Sequence, residues 1–153
     1  GVDGATYVRA AFASLAPLGV PSSESWPYVH ERVNVRPSID AYVDAHDHRT
    51  EAYYRIDNGD LDSVRAAIRL GRGVVFGVEV DSAFVRLGDG VAEPPASHAV
   101  LGAHAMCAVG FDASIGAFCV RNSWGTDWGV GGYGWISDSY MRTARDLWTA
   151  TAA

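Results

Sequence analysis

The stretch RNSWGTDWGVGGYGWI, residues 121–136, decides the fold of this chain. Its tryptophans stand among closely spaced glycines, which is a costly composition unless the backbone turns tightly beneath large rings. The segment GAHAMCAVGFD, residues 102–112, precedes it, and a short turn sequence, DASIG, begins where that segment ends. This arrangement predicts a β-hairpin with strands over about residues 104–111 and 117–122.

The hairpin brings a histidine close to an asparagine. A turn centred near Ala113 places His104 opposite Asn122, and directly paired side chains share a face with Cβ atoms about 4.5–5.5 Å apart. An asparagine amide that bonds one imidazole nitrogen fixes the tautomer and leaves the other nitrogen free as a base. The same pair also fits a core histidine beside an asparagine that caps a turn, so both interpretations stay open at this point.

The rest of the chain predicts helices early and strands late, which is typical of an α+β domain. Asp60 can cap one helix, and Gly19 can end another. The expected elements are a helix over 6–16, a loop through Pro37, an ambiguous stretch over 40–56 with strand-like composition at its end, a helix over 61–71, a strand over 74–80, a long loop over 81–101 and a last strand over 133–137, followed by a short C-terminal segment.

Composition limits the classes of function. The chain has 153 residues, 48% of them apolar, which fits one soluble globular domain with a real core. A formal charge of −6 argues against a nucleic-acid partner or an anionic membrane surface. No apolar run approaches the roughly 20 residues that span a bilayer, and the first residues lack the pattern of a signal peptide. We therefore expect neither a nucleic-acid nor a membrane partner.

Several segments, in this order, resemble the papain family of cysteine peptidases, in a bacterial branch of that family. They are DGATYVRAAF with ESWPY downstream, GVVFGVEV, GAHAMCAVGFD and FCVRNSWGTDWGVGGYGWI. The resemblance runs from about Asp3 to Trp148, and NSWGxxWGxxGY is its most specific part. It implies a single peptidase domain with an incomplete papain-like α+β fold: part of the helical lobe over about residues 1–30, and mainly the antiparallel β-barrel-like lobe over about 31–153.

The same resemblance implies roles for individual residues. His104 is the general base and acid, Asn122 orients it, and Trp124 shields the hydrogen bond between them. Gly4 matches a backbone edge that pairs with a substrate residue, and Ala103 flanks the histidine near that subsite. Chemistry of this kind needs no cofactor, and no metal site is expected.

The nucleophile is missing from this pattern. The family uses a cysteine at the start of a long helix and a preceding glutamine that helps to form the oxyanion hole, yet this chain has no glutamine and only Cys107 and Cys119. Because side chains alternate along a strand, both thiols are expected on the face opposite to His104 and Asn122. There they would lie opposite each other, either as a cross-strand disulfide or as two buried thiols. Ser123 is expected to face away as well.

Two hypotheses follow. In the first, the chain is the histidine- and asparagine-bearing portion of a peptidase that hydrolyses peptide bonds with a thiol from an N-terminal segment or a separate chain. Its partners would be that segment and a peptide or protein substrate, and the chain alone would be inactive. In the second, it is a catalytically inactive papain-like remnant that binds peptides or proteins.

Overall fold

The computed structural model describes residues 6–152 and shows a mixed α+β fold. The helices are α1 (Val8–Leu18), α2 (Ile39–His46), α3 (Leu61–Arg69), α4 (Ser82–Val85) and α5 (Asp138–Arg142), with 3-10 turns at His30–Arg32 and Ser97–Ala99. The strands are β1 (Thr50–Ile56), β2 (Val74–Val80), β3 (Val91–Ala92), β4 (Gly102–Asp112), β5 (Ala117–Arg121), β6 (Tyr133–Ser137) and β7 (Arg145–Ala152). Among residues 6–152, no helix combines the length and the apolar character that crossing a bilayer requires.

The described residues form two compact units, and 6–53 with 150–152 make up the first. In it, the turn after α1 needs Gly19, because a Cβ at this positive-φ position would collide with the carbonyl of Ala45 on α2. The side chain of Asp44 accepts hydrogen bonds from Ser25 Oγ at 2.5 Å and from Ser22 N at 2.6 Å. These bonds lower the pKa of the Asp44 carboxyl and fix the loop that follows α1.

The second unit, residues 54–149, is built on a sheet with the strand order β7-β2-β4-β5-β6-β3. All pairs in it are antiparallel except β3 with β6. One face of β2 and β4 points inward, where α3 and α5 contribute to the same core. The fully enclosed side chains of this core include Val64, Val74, Phe76, Phe118, Val120, Ile136, Tyr140, Met141 and Leu147.

Most elements lie where the sequence predicts them. The side chain of Asp60 accepts a hydrogen bond from Ser63 N and caps α3, and β6 has the predicted bounds. The ambiguous stretch resolves into α2 followed by β1. The sequence analysis underestimated the regular structure after residue 137. This segment contains both α5 and the eight-residue β7. The long loop over 81–101 also contains α4, β3 and a 3-10 turn.

The predicted register of the β4–β5 hairpin is wrong. Cys107 lies opposite Arg121 rather than Cys119, and Cys119 lies opposite Gly110. The turn has four residues, 113–116, since the side chain of Asp112 accepts hydrogen bonds from Ser114 within it. A β-bulge at residue 109 then moves the pairing back by one position.

The bulge sets the geometry of the site. Continuing the register beyond Arg121 puts Asn122 beside Met106 and makes His104 its diagonal neighbour on the same face. The two cysteines are free thiols and are half-buried.

Two glycines after β5 are required by close contacts that leave no space for a Cβ. Gly129 has a positive φ of 58°, and a Cβ there would collide with the carbonyl oxygen of Tyr133. At Gly134 a Cβ would lie 2.6 Å from the ring of Trp128, which is 5% exposed. The close approach of this ring to the backbone explains the glycine at residue 134.

Alanine substitutions separate backbone strain from steric collision in this segment. Gly131→Ala places alanine at a φ of 64° with open space around it, so we expect a loss of about 1–2 kcal/mol of folding free energy. Gly129→Ala adds the collision with Tyr133, so we expect a larger loss of about 3–5 kcal/mol. Urea denaturation of the two variants checks the difference, and equal losses would contradict this account of the turn.

Candidate active site

His104 and Asn122 form a hydrogen-bonded pair at the end of the β4–β5 ladder. His104 is half-buried on β4 opposite Val78 of β2, and its Nε2 lies 2.7 Å from Oδ1 of Asn122. The backbone N–H of Ser123 donates to the same oxygen at 2.7 Å. Since a carbonyl oxygen can only accept, Nε2 carries the proton and Nδ1 has a free lone pair. The expected contact is therefore present, and it selects one tautomer.

Trp124 covers this pair. Its ring stacks on the imidazole of His104 with centroids 4.3 Å apart and an angle of 29° between the planes. The indole is itself 40% exposed, so it lies between the histidine and solvent. A ring in this position keeps water from competing for the oxygen of Asn122 and strengthens the hydrogen bond.

The glycine-rich segment holds Asn122 and Trp124 in place. The backbone N–H of Asn122 donates to Gly132 O at 3.0 Å, and Gly132 N donates to Trp128 O at 2.9 Å. These two bonds fold residues 122–132 into a closed loop at the end of β5. The loop fixes the asparagine at its start and the stacked indole two residues later.

The thiols of the chain lie outside this site. Cys107 shares its face of β4 with Ala105, opposite to the face of His104, as the alternation of the strand predicts. Burial raises the pKa of the Cys107 thiol, while the nearby charge of Arg121 lowers it by less, and burial also raises the pKa of Cys119. A catalytic thiol needs the opposite shift.

The other predicted site residues have different outcomes. Ala103 is exposed on β4, directly opposite Glu79 of β2. Gly4 lies outside the described residues. Within residues 6–152 no group of acidic, histidine or cysteine side chains is arranged to hold a metal ion.

One structural contributor was missed by sequence analysis. Phe84 belongs to α4, inside the stretch that was predicted to be a long loop, and its ring meets Trp124 edge-on at 5.9 Å. Asp81 caps α4 by accepting a hydrogen bond from Phe84 N at 2.8 Å. An aspartate three residues before a buried aromatic residue is a capping pattern, so the sequence contained a usable indication of this short helix.

Comparison with known proteins identifies the class to which this fold and site belong. The sequence profile of the papain family cysteine proteases matches residues 1–146, so the chain belongs to the papain family of cysteine proteases. It is 30% identical over 160 residues to an uncharacterized peptidase C1-like protein of Acanthamoeba polyphaga mimivirus, and the match covers 95% of this chain and 51% of that protein. It is 28% identical to a cysteine protease of Blomia tropicalis, with 87% of this chain and 40% of that protein covered.

Solved structures agree with this assignment. Xylellain, a cysteine protease from Xylella fastidiosa, superposes with a TM-score of 0.80 at 28% identity, covering 95% of this chain and 61% of that one. The digestive procathepsin L2 proteinase of Tenebrio molitor shares the fold, with a TM-score of 0.76 at 22% identity over 95% of this chain and 47% of that one. The chain thus spans about half the length, or less, of the curated relatives described above.

Removing the carboxamide tests whether Asn122 fixes the tautomer of His104. In Asn122→Ala the imidazole loses its acceptor, so we expect the Nε2–H form to fall towards the mixture found for exposed histidines such as His98. Ring ¹⁵N NMR of the labelled chain at about pH 8.5, where ordinary imidazoles are neutral, measures the two forms.

Ser123→Ala is the matched control for this measurement. It keeps the backbone N–H that donates to Asn122 and removes only an exposed hydroxyl, so the tautomer should stay as in the unmodified chain. An unchanged His104 spectrum in Asn122→Ala would show that the asparagine does not control the ring.

The thiols should behave as non-catalytic cysteines. Because burial raises the pKa of both, we expect alkylation by iodoacetamide at neutral pH to be slower than for an exposed model thiol. The alkylation rate should keep rising as the pH is increased beyond the usual thiol pKa. Mass spectrometry of Cys107→Ala and Cys119→Ala assigns each rate, and fast alkylation at acidic pH that is lost in His104→Ala would contradict this placement.

Proposed function

We propose that the chain supplies the histidine and the asparagine of a cysteine peptidase whose thiol nucleophile comes from polypeptide outside residues 1–153. The observation that carries the proposal is the 2.7 Å contact between His104 Nε2 and Asn122 Oδ1, which leaves Nδ1 as an available base. Membership of the papain family supports the reaction class, which is hydrolysis of peptide bonds.

The geometry suits both proton transfers of this reaction. Nδ1 of His104 takes the proton of an incoming thiol, and the resulting thiolate and imidazolium form an ion pair that lowers the thiol pKa. Attack on the scissile carbonyl forms a carbon–sulfur bond, and Nδ1–H then protonates the leaving amine as the carbon–nitrogen bond breaks. Water hydrolyses the acyl-enzyme with the same nitrogen as base. Throughout, Asn122 holds the ring through Nε2.

The thiol is assigned to another segment because neither cysteine of this chain can reach the base. Cys107 and Cys119 lie on the other face of the sheet and have raised pKa values. The chain also contains no glutamine to donate to an oxyanion. One further observation supports an external contribution: Nδ2 of Asn122 is buried and has no acceptor within residues 6–152. An unmet buried donor costs about 1–3 kcal/mol, which an acceptor from the absent segment would recover.

The substrate is proposed to be an extended peptide beside His104. Ala103 is exposed and adjoins His104 along β4, while its methyl group, like that of Ala105, lies on the face opposite to the imidazole. Its place near the substrate is proposed from the family resemblance alone. Gly4 is proposed to pair with the substrate backbone, from the family resemblance alone.

Activity measurements on the parent gene product test the proposal. We expect the full product to cleave a fluorogenic peptide and to be labelled by an epoxide thiol inhibitor, and the chain of residues 1–153 to do neither, because its base has no thiol to deprotonate. His104→Ala in the full product should lower kcat/KM by at least about 10³-fold, the scale expected for losing both the base and the thiolate it stabilises.

His98→Ala is the matched control, since His98 is exposed on a nearby 3-10 turn and has no contact with the pair. It should retain full activity. Peptide cleavage by residues 1–153 alone, or an active His104→Ala variant, would overturn the proposal. A full product that binds peptides but neither cleaves them nor takes the label would favour an inactive peptide-binding module instead.

A further inference from the structure

The chain has three asparagines, and one of them, Asn58, is followed directly by a glycine. Asn58 and Gly59 are the central residues of the turn that joins β1 to α3, which is closed by a hydrogen bond from Asp60 N to Asp57 O at 3.1 Å. Asn58 is exposed, and Gly59 has a positive φ of 83°. The nearest atom to a Cβ built on this glycine would be Arg142 O at 3.9 Å, so the turn is not crowded by its surroundings.

Asparagine is a thermolabile residue because its side-chain amide can be lost without an enzyme. The backbone nitrogen of the next residue gives up its proton and attacks Cγ of the asparagine. The new carbon–nitrogen bond closes a five-membered succinimide ring, and the amide nitrogen leaves as ammonia. Water then opens the ring at one of its two carbonyls. The product is either aspartate or isoaspartate, in which the backbone runs through the former side chain.

The attack has three requirements, and Asn58 meets all of them. The side chain has to be free to move, and that of Asn58 is exposed and makes no hydrogen bond within residues 6–152. The attacking nitrogen has to be available, and the N–H of Gly59 donates to no acceptor in the same part of the chain. Ring closure also turns the peptide plane between the two residues, which glycine permits because it tolerates either sign of φ.

The other two asparagines do not meet these requirements. Asn34 is exposed, but the N–H of the following Val35 donates to a backbone carbonyl at 2.8 Å, and the branched Cβ of valine crowds the attacking nitrogen. Asn122 is half-buried, and its Oδ1 is held by His104 and by the N–H of Ser123, which is the nitrogen that would have to attack. The structure therefore separates one reactive asparagine from two protected ones.

We propose that Asn58 is a site of spontaneous succinimide formation, and that its isoaspartate product weakens the start of α3. Isoaspartate adds one methylene to the backbone of a turn that a single hydrogen bond closes. Asp60 caps α3 by accepting from Ser63 N at 3.0 Å, and Leu61, the first residue of the helix, is buried in the core. Displacement of the cap leaves that N–H without its partner. This inference is independent of the proposed peptidase function.

Ageing of the folded full gene product at mildly alkaline pH tests the reaction, with any peptidase activity blocked by an epoxide thiol inhibitor. Peptide mass spectrometry should show conversion of Asn58 to an acid over time while Asn34 and Asn122 stay intact. An isoaspartyl methyltransferase with labelled S-adenosylmethionine should label the peptide that contains residue 58. Asn58→Gln is the matched control: it keeps a carboxamide but would need a six-membered ring, so this label should be lost.

A sample of the same protein kept in urea shows what the fold contributes. Asn122 should react faster there than in the folded protein, because its hydrogen bonds to His104 and Ser123 are gone. Asn58 should react in both samples. If Asn58 reacts in urea and stays intact in the folded protein, the closed turn protects it and the proposal is overturned. Equal rates at Asn34 and Asn58 in the folded protein would overturn it as well.

Urea denaturation of the aged protein tests the effect on α3. The separated isoaspartate form should have a folding equilibrium constant about 5-fold lower than the unaged protein, which is the scale of losing one N-cap. Freshly purified Asn58→Asp adds the same charge without lengthening the backbone, so its stability should change little at this exposed position. An aged form as stable as the unaged protein, or an equal loss in Asn58→Asp, would overturn the claim that the lengthened turn weakens the helix.

Discussion

The hydrogen bond between Nε2 of His104 and Oδ1 of Asn122 is the interaction on which the chemistry of this chain depends. It assigns the proton to one ring nitrogen and so determines which nitrogen can act as a base. The bond joins a residue of β4 to the residue that follows β5, so it requires the hairpin to be in register and the loop after β5 to be closed. The dense glycines, the buried Trp128 and the stacked Trp124 all serve that second requirement.

The structure brings a histidine, its amide partner and a stacked indole together, while the thiols lie on the reverse face with pKa values raised by burial. Family membership places the chain among enzymes that use a thiol, and the matched relatives are about twice as long. On this basis we propose that the catalytic groups are divided between this chain and polypeptide beyond it. Nδ2 of Asn122, which has no acceptor within residues 6–152, fits the same proposal.

Much of the fold follows from local pattern. The capped helix after Asp60 and the alternating strand Val74–Val80 are specified by residues close together in the sequence. The contact between His104 and Asn122 was also predicted, and it is present although the register is wrong, because an error of two positions leaves both side chains on the same face. The register was not, because it depends on a side-chain hydrogen bond in the turn and on one inserted residue. The strand β7 was missed for a related reason: its pairing with β2 is a long-range contact that short windows of sequence do not reveal. Phe84 was missed because it lies inside a segment whose composition resembles a loop.

The bulge at Val109 has a consequence for which groups can meet. A four-residue turn followed by unbroken pairing would put Cys107, and not His104, on the same side as Asn122. The one extra residue exchanges the faces on which the side chains before it on β4 lie. The imidazole of His104, and not the sulfur of Cys107, is therefore the neighbour of the carboxamide. The hairpin can therefore lose Val109 itself and keep its chemistry, because Ala108 would still lie opposite Val120 and Met106 would still lie beside Asn122.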